Sequence, residues 1–459
     1  MKYSREKLTD EKKVVYLQKT HIIMLLRIIL KNFLSFNGLE QFELFPNHKR
    51  VTHSNHIYQR NPNPAILKMS VIYGANGAGK SNLIKAMSFV RGFVLDEGFL
   101  NADNIKNWKF CLKQQRAEEP IFLAVEYETE DNVVFLYSVE INDMGIQKES
   151  LKTSGTSNSG IKIFERTYKQ VTLRNDITEE MGTIINKWID EHPFASLFTI
   201  NSSVQLLNDT AITSSEKWFR DKLKVVGLNS FQPDIITRLR LHPEQLKFAT
   251  DMFSAIGLGL NGIEVKTESF DKWLAANPQE AIIRSKTEKM HDDMVLSKIV
   301  DNRNVSAITL EKGIRKVSEL VFKQAGVDGY SRDMNILSQS DGTVRLLILA
   351  PYLYSAIHEG ATIVVDELDN SIHPHLVRGL VRYFADSETN GQLIFSTHET
   401  CILDQAFMRP DEVWFVEKSN GESHPYSLND FKIHNTISIE NGYMAGRFGA
   451  IPFLGTLNF

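Results

Sequence analysis

Gly74-Ala75-Asn76-Gly77-Ala78-Gly79-Lys80-Ser81 forms a complete G-x-x-x-x-G-K-S octet, followed by Asn82. These residue types at this spacing suit one chemistry, the cradling of a chain of phosphates. Glycines let consecutive backbone N–H groups close around phosphate oxygens without Cβ clashes. A helix opening at the end of the octet adds the positive end of its dipole. The pattern predicts that Lys80 reaches β- and γ-phosphates and that the Ser81 hydroxyl ligates Mg2+. A second cluster, Ile363-Val364-Val365-Asp366-Glu367, is an apolar run ending in two carboxylates. At the carboxyl end of a strand beside the octet, Asp366 would hold Mg2+ and Glu367 would orient and polarise an attacking water. An acidic pair capping the next helix is the plainer alternative. The presence of both motifs in one chain favours the chemistry.

Two further pieces stand at informative places. Ser338-Gln339-Ser340-Asp341-Gly342-Thr343 leads into a helical pattern, and a Ser-x-Gly turn at a helix N-terminus can bind an anion through Ser340 and Gly342. Simple capping is the competing role. Phe395-Ser396-Thr397-His398-Glu399 is a strand ending in a histidine, and His398 there could hydrogen-bond a γ-phosphate. A lone histidine is more often structural. His373-Pro374-His375 suggests a metal, but no Cys or third His lies nearby in sequence, so none is assigned.

The elements that must position these residues follow from periodicity. Ile66–Tyr73 reads as a strand running into Gly74, and Ser81–Phe93 as a helix. Met24–Leu34, Ile121–Tyr127, Val133–Ile141 and Ile161–Arg166 read as strands, the last three as an antiparallel set. The stretch from His48 to Pro64 reads as a surface loop. From about Asn175 to Gly329 helical periodicity dominates, with loops at Asn201–Thr213 and Asn261–Ser269, so a helical insertion is expected there. Beyond it, Gly342–Ile357, Ala361–Asp366, His375–Phe384, Gln392–Ser396 and Glu412–Glu417 alternate helix with strand. That alternation implies a parallel sheet covered on both faces.

Composition narrows the class. The 459 residues, 42% hydrophobic and 24% charged, describe an ordinary globular protein of two to three domains' worth of core. A net charge of −4 gives no global basic field for a nucleic-acid coat. Two cysteines, Cys111 and Cys401, fit a reducing cytosol and read as ordinary buried thiols. No apolar stretch is long enough for a membrane span, and residues 1–20 do not read as a signal peptide. Lys106–Arg116 interleaves basic residues with Trp108 and Phe110, a pattern that a solvated helix face explains better than nucleic-acid binding.

Taken in order, the octet, the Ser340 turn, the Asp366-Glu367 pair and His398 resemble the nucleotide-binding domain of ABC-type ATPases. The branch is the non-transporter one of SMC, Rad50, RecF and OLD proteins. More narrowly, the chain looks like the AAA15-type ATPases of bacterial phage-defence loci, among them RloA, AbiL, the Septu ATPase PtuA and the PARIS ATPase AriA. The matching phrases are RIILKNFLSF (Arg27–Phe36), LSQSDGTVRL (Leu337–Leu346), DELDNSIHP (Asp366–Pro374), Ser396-Thr397-His398 and YMAGRFGAIP (Tyr443–Pro452). The resemblance implies an α/β fold: an ABC-type P-loop nucleotide-binding domain, with a mixed or parallel sheet, an antiparallel β subdomain and a helical insertion. It divides the chain into an extension (1–23), lobe I (24–175), the insertion (176–329) and lobe II (330–459).

The resemblance also implies ATP and Mg2+ as cofactors and hydrolysis of ATP. Gly74–Asn82, Ser340 and Gly342 would contact nucleotide, Ser81 and Asp366 the metal, and Lys80, Glu367 and His398 would be catalytic. A homodimer would form in which Ser340 of one subunit completes the phosphate site of the other. A separate effector, a nuclease, and a cytoplasmic anti-phage role come from the same resemblance, with DNA as a further candidate partner. Thr343 departs from the Gln or Glu of many relatives, His373 replaces an SMC-type Asp, and the metal-contacting glutamine is narrowed to Gln114 or Gln115. Two rival readings are a nucleotide-gated scaffold that restrains a toxic effector with little turnover, and a RecF- or Rad50-like repair ATPase stimulated by DNA.

Overall fold

The computed structural model describes residues 23–60, 63–155, 160–175, 178–204, 209–228, 234–292, 294–433 and 438–452. Of the expected extension, all but Ile23 lies outside the described residues. Six strands form the central sheet: β1 (Met69–Tyr73), β2 (Leu223–Val226), β3 (Thr362–Val365), β4 (Gln392–Ser396), β5 (Val413–Ser419) and β6 (Glu422–Ser427). Their order is β2-β3-β4-β1-β5-β6. The first five run parallel and β6 returns antiparallel to β5. β1, β3 and β4 are buried at every position, as strands covered on both faces must be.

Alternation along these strands divides the core in two. Ile72, Val364, Ile394, Trp414 and Val416 face helix α1 (Lys80–Leu95), whose Leu83, Ile84, Met87 and Val90 pack against them. Val71, Ile363, Val365, Leu393 and Phe395 face the other way, onto α2 (Asp341–His358) and α3 (Pro374–Asp386). The register sets Val226 beside Val365, Val365 beside Phe395, and Ser396 beside Ile72. The residues following β1, β3 and β4 therefore emerge together at one sheet end.

A seven-stranded antiparallel sheet covers the α1 side, in the order Gln170–Leu173, Lys162–Thr167, Gly145–Thr153, Val134–Asn142, Ile121–Glu128, Leu25–Lys31, Glu40–Glu43. Leu30, Leu123, Val125 and Tyr137 from this sheet join the α1 cluster. The mixed α/β class with an antiparallel subdomain stands as read from the sequence.

The insertion needs correction. It is helical over Glu179–Glu191, Leu197–Val204, Thr210–Lys217, Ile235–Leu241 and Pro243–Ile256, but Leu223–Val226 leaves it to edge the central sheet as β2. Residues 260–334 then build a five-stranded antiparallel sheet from Leu260–Ser269, Ile314–Ala325, Arg303–Glu311, Val295–Val300 and Ser331–Met334. Its strands alternate single apolar residues with Glu and Lys, residues depleted from strands, so Asn261–Ser269 reads as loop. Cross-strand charge pairs such as Lys323–Glu264 at 2.8 Å suit the pairing instead.

The His48–Pro64 stretch is likewise not a free surface loop. His56 is buried against Glu412 at 3.0 Å, and Arg60 pairs with Glu128 at 2.6 Å. Trp108 stacks on Phe33 with ring centroids 5.8 Å apart and Phe110 is buried, while Lys106 and residues 111–115 stay exposed. Lys106–Arg116 is thus a largely solvated pair of 3-10 turns with its aromatics turned inward rather than one helix. Among the described residues, no helix is long and apolar enough to cross a membrane.

Candidate phosphate-binding site

The octet turns tightly between β1 and α1, and space requires two of its glycines. A Cβ on Gly74 would collide with the Val416 carbonyl of β5, and one on Gly79 with the Ser423 hydroxyl. Gly77 has a left-handed φ of 75°. The back of the loop is held by β6: Ser423 Oγ donates to the Ala78 carbonyl at 2.5 Å and accepts from the Ser35 hydroxyl at 2.8 Å. Asn82 Nδ2 donates to the same Ser35 hydroxyl at 2.9 Å. Lys80, buried, curls back on its own loop, its Nζ donating to Gly74 O at 2.8 Å and Ala75 O at 3.2 Å. Burial lowers its pKa, and Glu367, Asp366 and Asp369 pull it back up.

Asn76, Gly77, Gly79, Lys80, Ser81, Asn82, Glu367 and His398 line one open cleft of 300 Å³ at the sheet's carboxyl end. Asp366 is buried behind this wall, its Oδ1 accepting from Ser396 Oγ of β4 at 2.6 Å. The same hydroxyl accepts from the Glu367 backbone N–H at 2.8 Å. Glu367 sits at φ 47°, a left-handed conformation uncommon for a residue with a Cβ. The His398 backbone N–H donates to Asp369 Oδ2 at 3.3 Å. Burial lowers the His398 pKa, as does the Lys80 charge, against the opposing pull of Asp369, Glu367 and Asp366.

Not every expected residue meets there. Ser340 caps α2, its Oγ accepting from Thr343 N–H at 3.2 Å, and is exposed outside the cleft. Gly342 packs on the loop after β3, where a Cβ would lie 2.5 Å from the Ser371 carbonyl. Gln114 and Gln115 form an exposed 3-10 turn and do not line the cleft. Cys111 is exposed and Cys401 half-buried, so neither is the fully buried thiol expected. Sequence reasoning missed Ser423, Asp369 and Arg345, which act through contacts that no local spacing encodes.

With this geometry in hand, the relatives fall into place. A family model described as "AAA domain, putative AbiEii toxin, Type IV TA system" matches residues 69–248 and 258–404. The chain belongs to this AAA_21 family. No curated protein matches it. Among solved structures, the SMC head bound to the C-winged helix domain of ScpA is similar at 16% identity and TM-score 0.46, over 88% of this chain and 99% of that one. The SMC head domain from Thermotoga maritima matches at 14% identity and TM-score 0.39, over 89% and 99%. The recombination mediator RecF matches at 10% identity and TM-score 0.37, over 88% and 99%.

The donor set of this AAA_21 chain fits a magnesium nucleoside triphosphate. The glycine-rich turn opens onto the N-terminus of α1, Lys80 supplies a compact cation, and the Ser81 hydroxyl and Asp366 carboxylate are the hard oxygen donors that Mg2+ prefers. When bound, the nucleotide supplies the phosphoanhydride and the metal the neutralising charge.

Proposed function

We propose that the protein binds ATP with Mg2+ in this cleft and hydrolyses it, and that the Ser340 turn of a second copy completes the site. The ATP-closed homodimer then senses or controls a separate effector, a nuclease, in cytoplasmic anti-phage defence. Lys80 compensates phosphate charge, Ser81 and Asp366 hold the metal, Glu367 accepts from the attacking water, and His398 donates to the terminal phosphate. The observation that carries the reading is the convergence of Lys80, Ser81, Glu367 and His398 on one cleft, while Ser340 stays exposed outside it. The defence role is supported by the sequence resemblance alone.

Glu367→Gln tests the reading. It keeps size and hydrogen bonding but removes the charge that polarises water. Hydrolysis should fall by at least about 10²-fold while ATP still binds, so the closed dimer should accumulate. Turnover like wild type would place the base elsewhere. A wild-type protein without turnover, alone or with its effector, would support the nucleotide-gated scaffold instead. DNA-stimulated, salt-sensitive turnover without an effector would favour a repair ATPase.

A further inference from the structure

We infer that Arg345 is the positioning residue for Glu367, tying the helix that begins at Ser340 to the backbone of the carboxylate pair. Its catalytic consequence rests on the ATPase reading above; its geometry does not. Arg345 lies in the second turn of α2 and is buried. Its Nη2 donates to the carbonyls of Asp366 at 2.9 Å and Glu367 at 3.3 Å, and Nη1 to Gly227 O at 3.4 Å, just beyond β2. One guanidinium thus spans the carboxyl ends of β2 and β3.

A buried cation must be compensated by hydrogen bonds and nearby charge. Here Asp366, Glu367 and Asp369 supply the charge, and the carbonyls that accept from Arg345 belong to a loop held in an uncommon conformation. Glu367 at φ 47° and Ser371 at φ 61° are both left-handed non-glycine residues, conformations that persist only when their surroundings hold them. Glu367 is held from two sides. On β4, Ser396 Oγ takes its N–H at 2.8 Å, and Ser396 O takes the Leu368 N–H at 3.0 Å. On α2, Arg345 holds its carbonyl, which also accepts from Asn370 N–H at 3.1 Å. The Gly342 contact with Ser371 fixes the far end of the same loop. The two anchors fix where the Glu367 carboxylate enters the cleft. A push on the exposed Ser340 turn reaches that carboxylate through one side chain.

The test uses the full chain with Arg345→Met, which removes the fork, and Arg345→Lys, which keeps charge but loses the bidentate reach. Backbone amide exchange at residues 367–370, read without nucleotide, should speed up in both variants, more in Arg345→Met. The dissociation constant for a non-hydrolysable ATP analogue should stay near wild type while kcat falls by up to about 10²-fold, the cost of misplacing a reacting group. In the Glu367→Gln background, Arg345→Met should add no further loss of kcat, because both act through one carboxylate. Unchanged exchange at 367–370 would overturn the inference, and so would losses that multiply in the double variant. If Arg345→Met fails to fold, the same exchange and kcat readings on Arg345→Lys decide. Faster local exchange in a protein whose wild type never turns over ATP would keep the positioning link and sink the hydrolysis reading.

Discussion

Lys80 has its ammonium tucked against the carbonyls of Gly74 and Ala75, so phosphate binding must draw it away from partners it already has. The exchange is favourable because a polyphosphate offers charge where the carbonyls offer dipoles. Lys80→Ala should therefore abolish ATP binding by calorimetry, since the backbone nest alone leaves the β/γ charge largely uncompensated. The same substitution has a second, ligand-free readout. His398 should titrate below the ordinary imidazole value of 6.5 in the wild type, and removing the Lys80 cation should move it upward. Burial, the larger cause, would remain, opposed by Asp369, Glu367 and Asp366. The sign for stability follows. Over the window between the lowered value and 6.5 the unfolded chain binds the proton better, so this group's contribution falls as pH drops through that window. An NMR titration showing no upward movement in Lys80→Ala would separate the two residues. At this scale the octet, the carboxylate pair and His398 were legible because each is a local phrase beside a strand end. Arg345 and Ser423 were not. One reaches carbonyls of the carboxylate pair from another helix, and the other meets the octet from the far end of the chain.

At the scale of elements, the turn after β1 is pressed between α1 and the returning hairpin of β5 and β6. The β1–β5 pairing brings Phe415 beside Tyr73, so the next β5 residue, Val416, puts its carbonyl against Gly74. Gly74→Ala must push backbone against backbone, which has no flexible side chain to yield. The expected cost is about 1–3 kcal/mol, as for other overpacked sites, read as a lowered midpoint in urea at unchanged m. A neutral Gly74→Ala would mean that β5 gives way and that the loop is not clamped as described. The strands on which this turn depends were readable because a parallel sheet demands continuous apolar runs, and MSVIY, TIVV and QLIFS supply them. The sheet over residues 260–334 hides because its two faces feed different clusters. Ile308 and Val317 pack with Phe270 and Trp273, while Ala307, Leu320 and Phe322 join the cluster beneath α2, and Glu and Lys break the apolar runs between them. A period-two pattern diluted by Glu and Lys carries little weight against the helical texture before it.

At the scale of the molecule, that hidden sheet bears on where the Ser340 turn stands. Arg303, from one of its strands, donates to Gln339 O at 2.7 Å and Ile336 O at 2.9 Å and pairs with Asp341 at 2.6 Å. The turn is braced from the insertion side while Ser340 remains exposed and outside its own cleft. A braced, exposed turn that does not line the cleft of its own subunit fits use by another copy. A twofold dimer supplies this reciprocally, because each turn then faces the other subunit's cleft. Ser340→Arg should spare nucleotide binding by the monomer yet stop ATP-driven association and hydrolysis by steric and charge blockade. Lys80→Ala should be dead for the opposite reason, with its Ser340 turn intact. Mixed one to one, neither variant closes with itself, so the ATP-driven dimers that form are hybrids, each with one whole site. Hydrolysis should then recover to at most about half of wild type if the sites work independently. ATP-dependent hybrid formation, followed by sedimentation with one partner labelled, reads association even where a single live site turns over slowly. If neither hydrolysis nor hybrid formation appears at any ratio, with both variants folded and Ser340→Arg still binding nucleotide, completion by a second copy is wrong. The exposed turn is then only a helix cap.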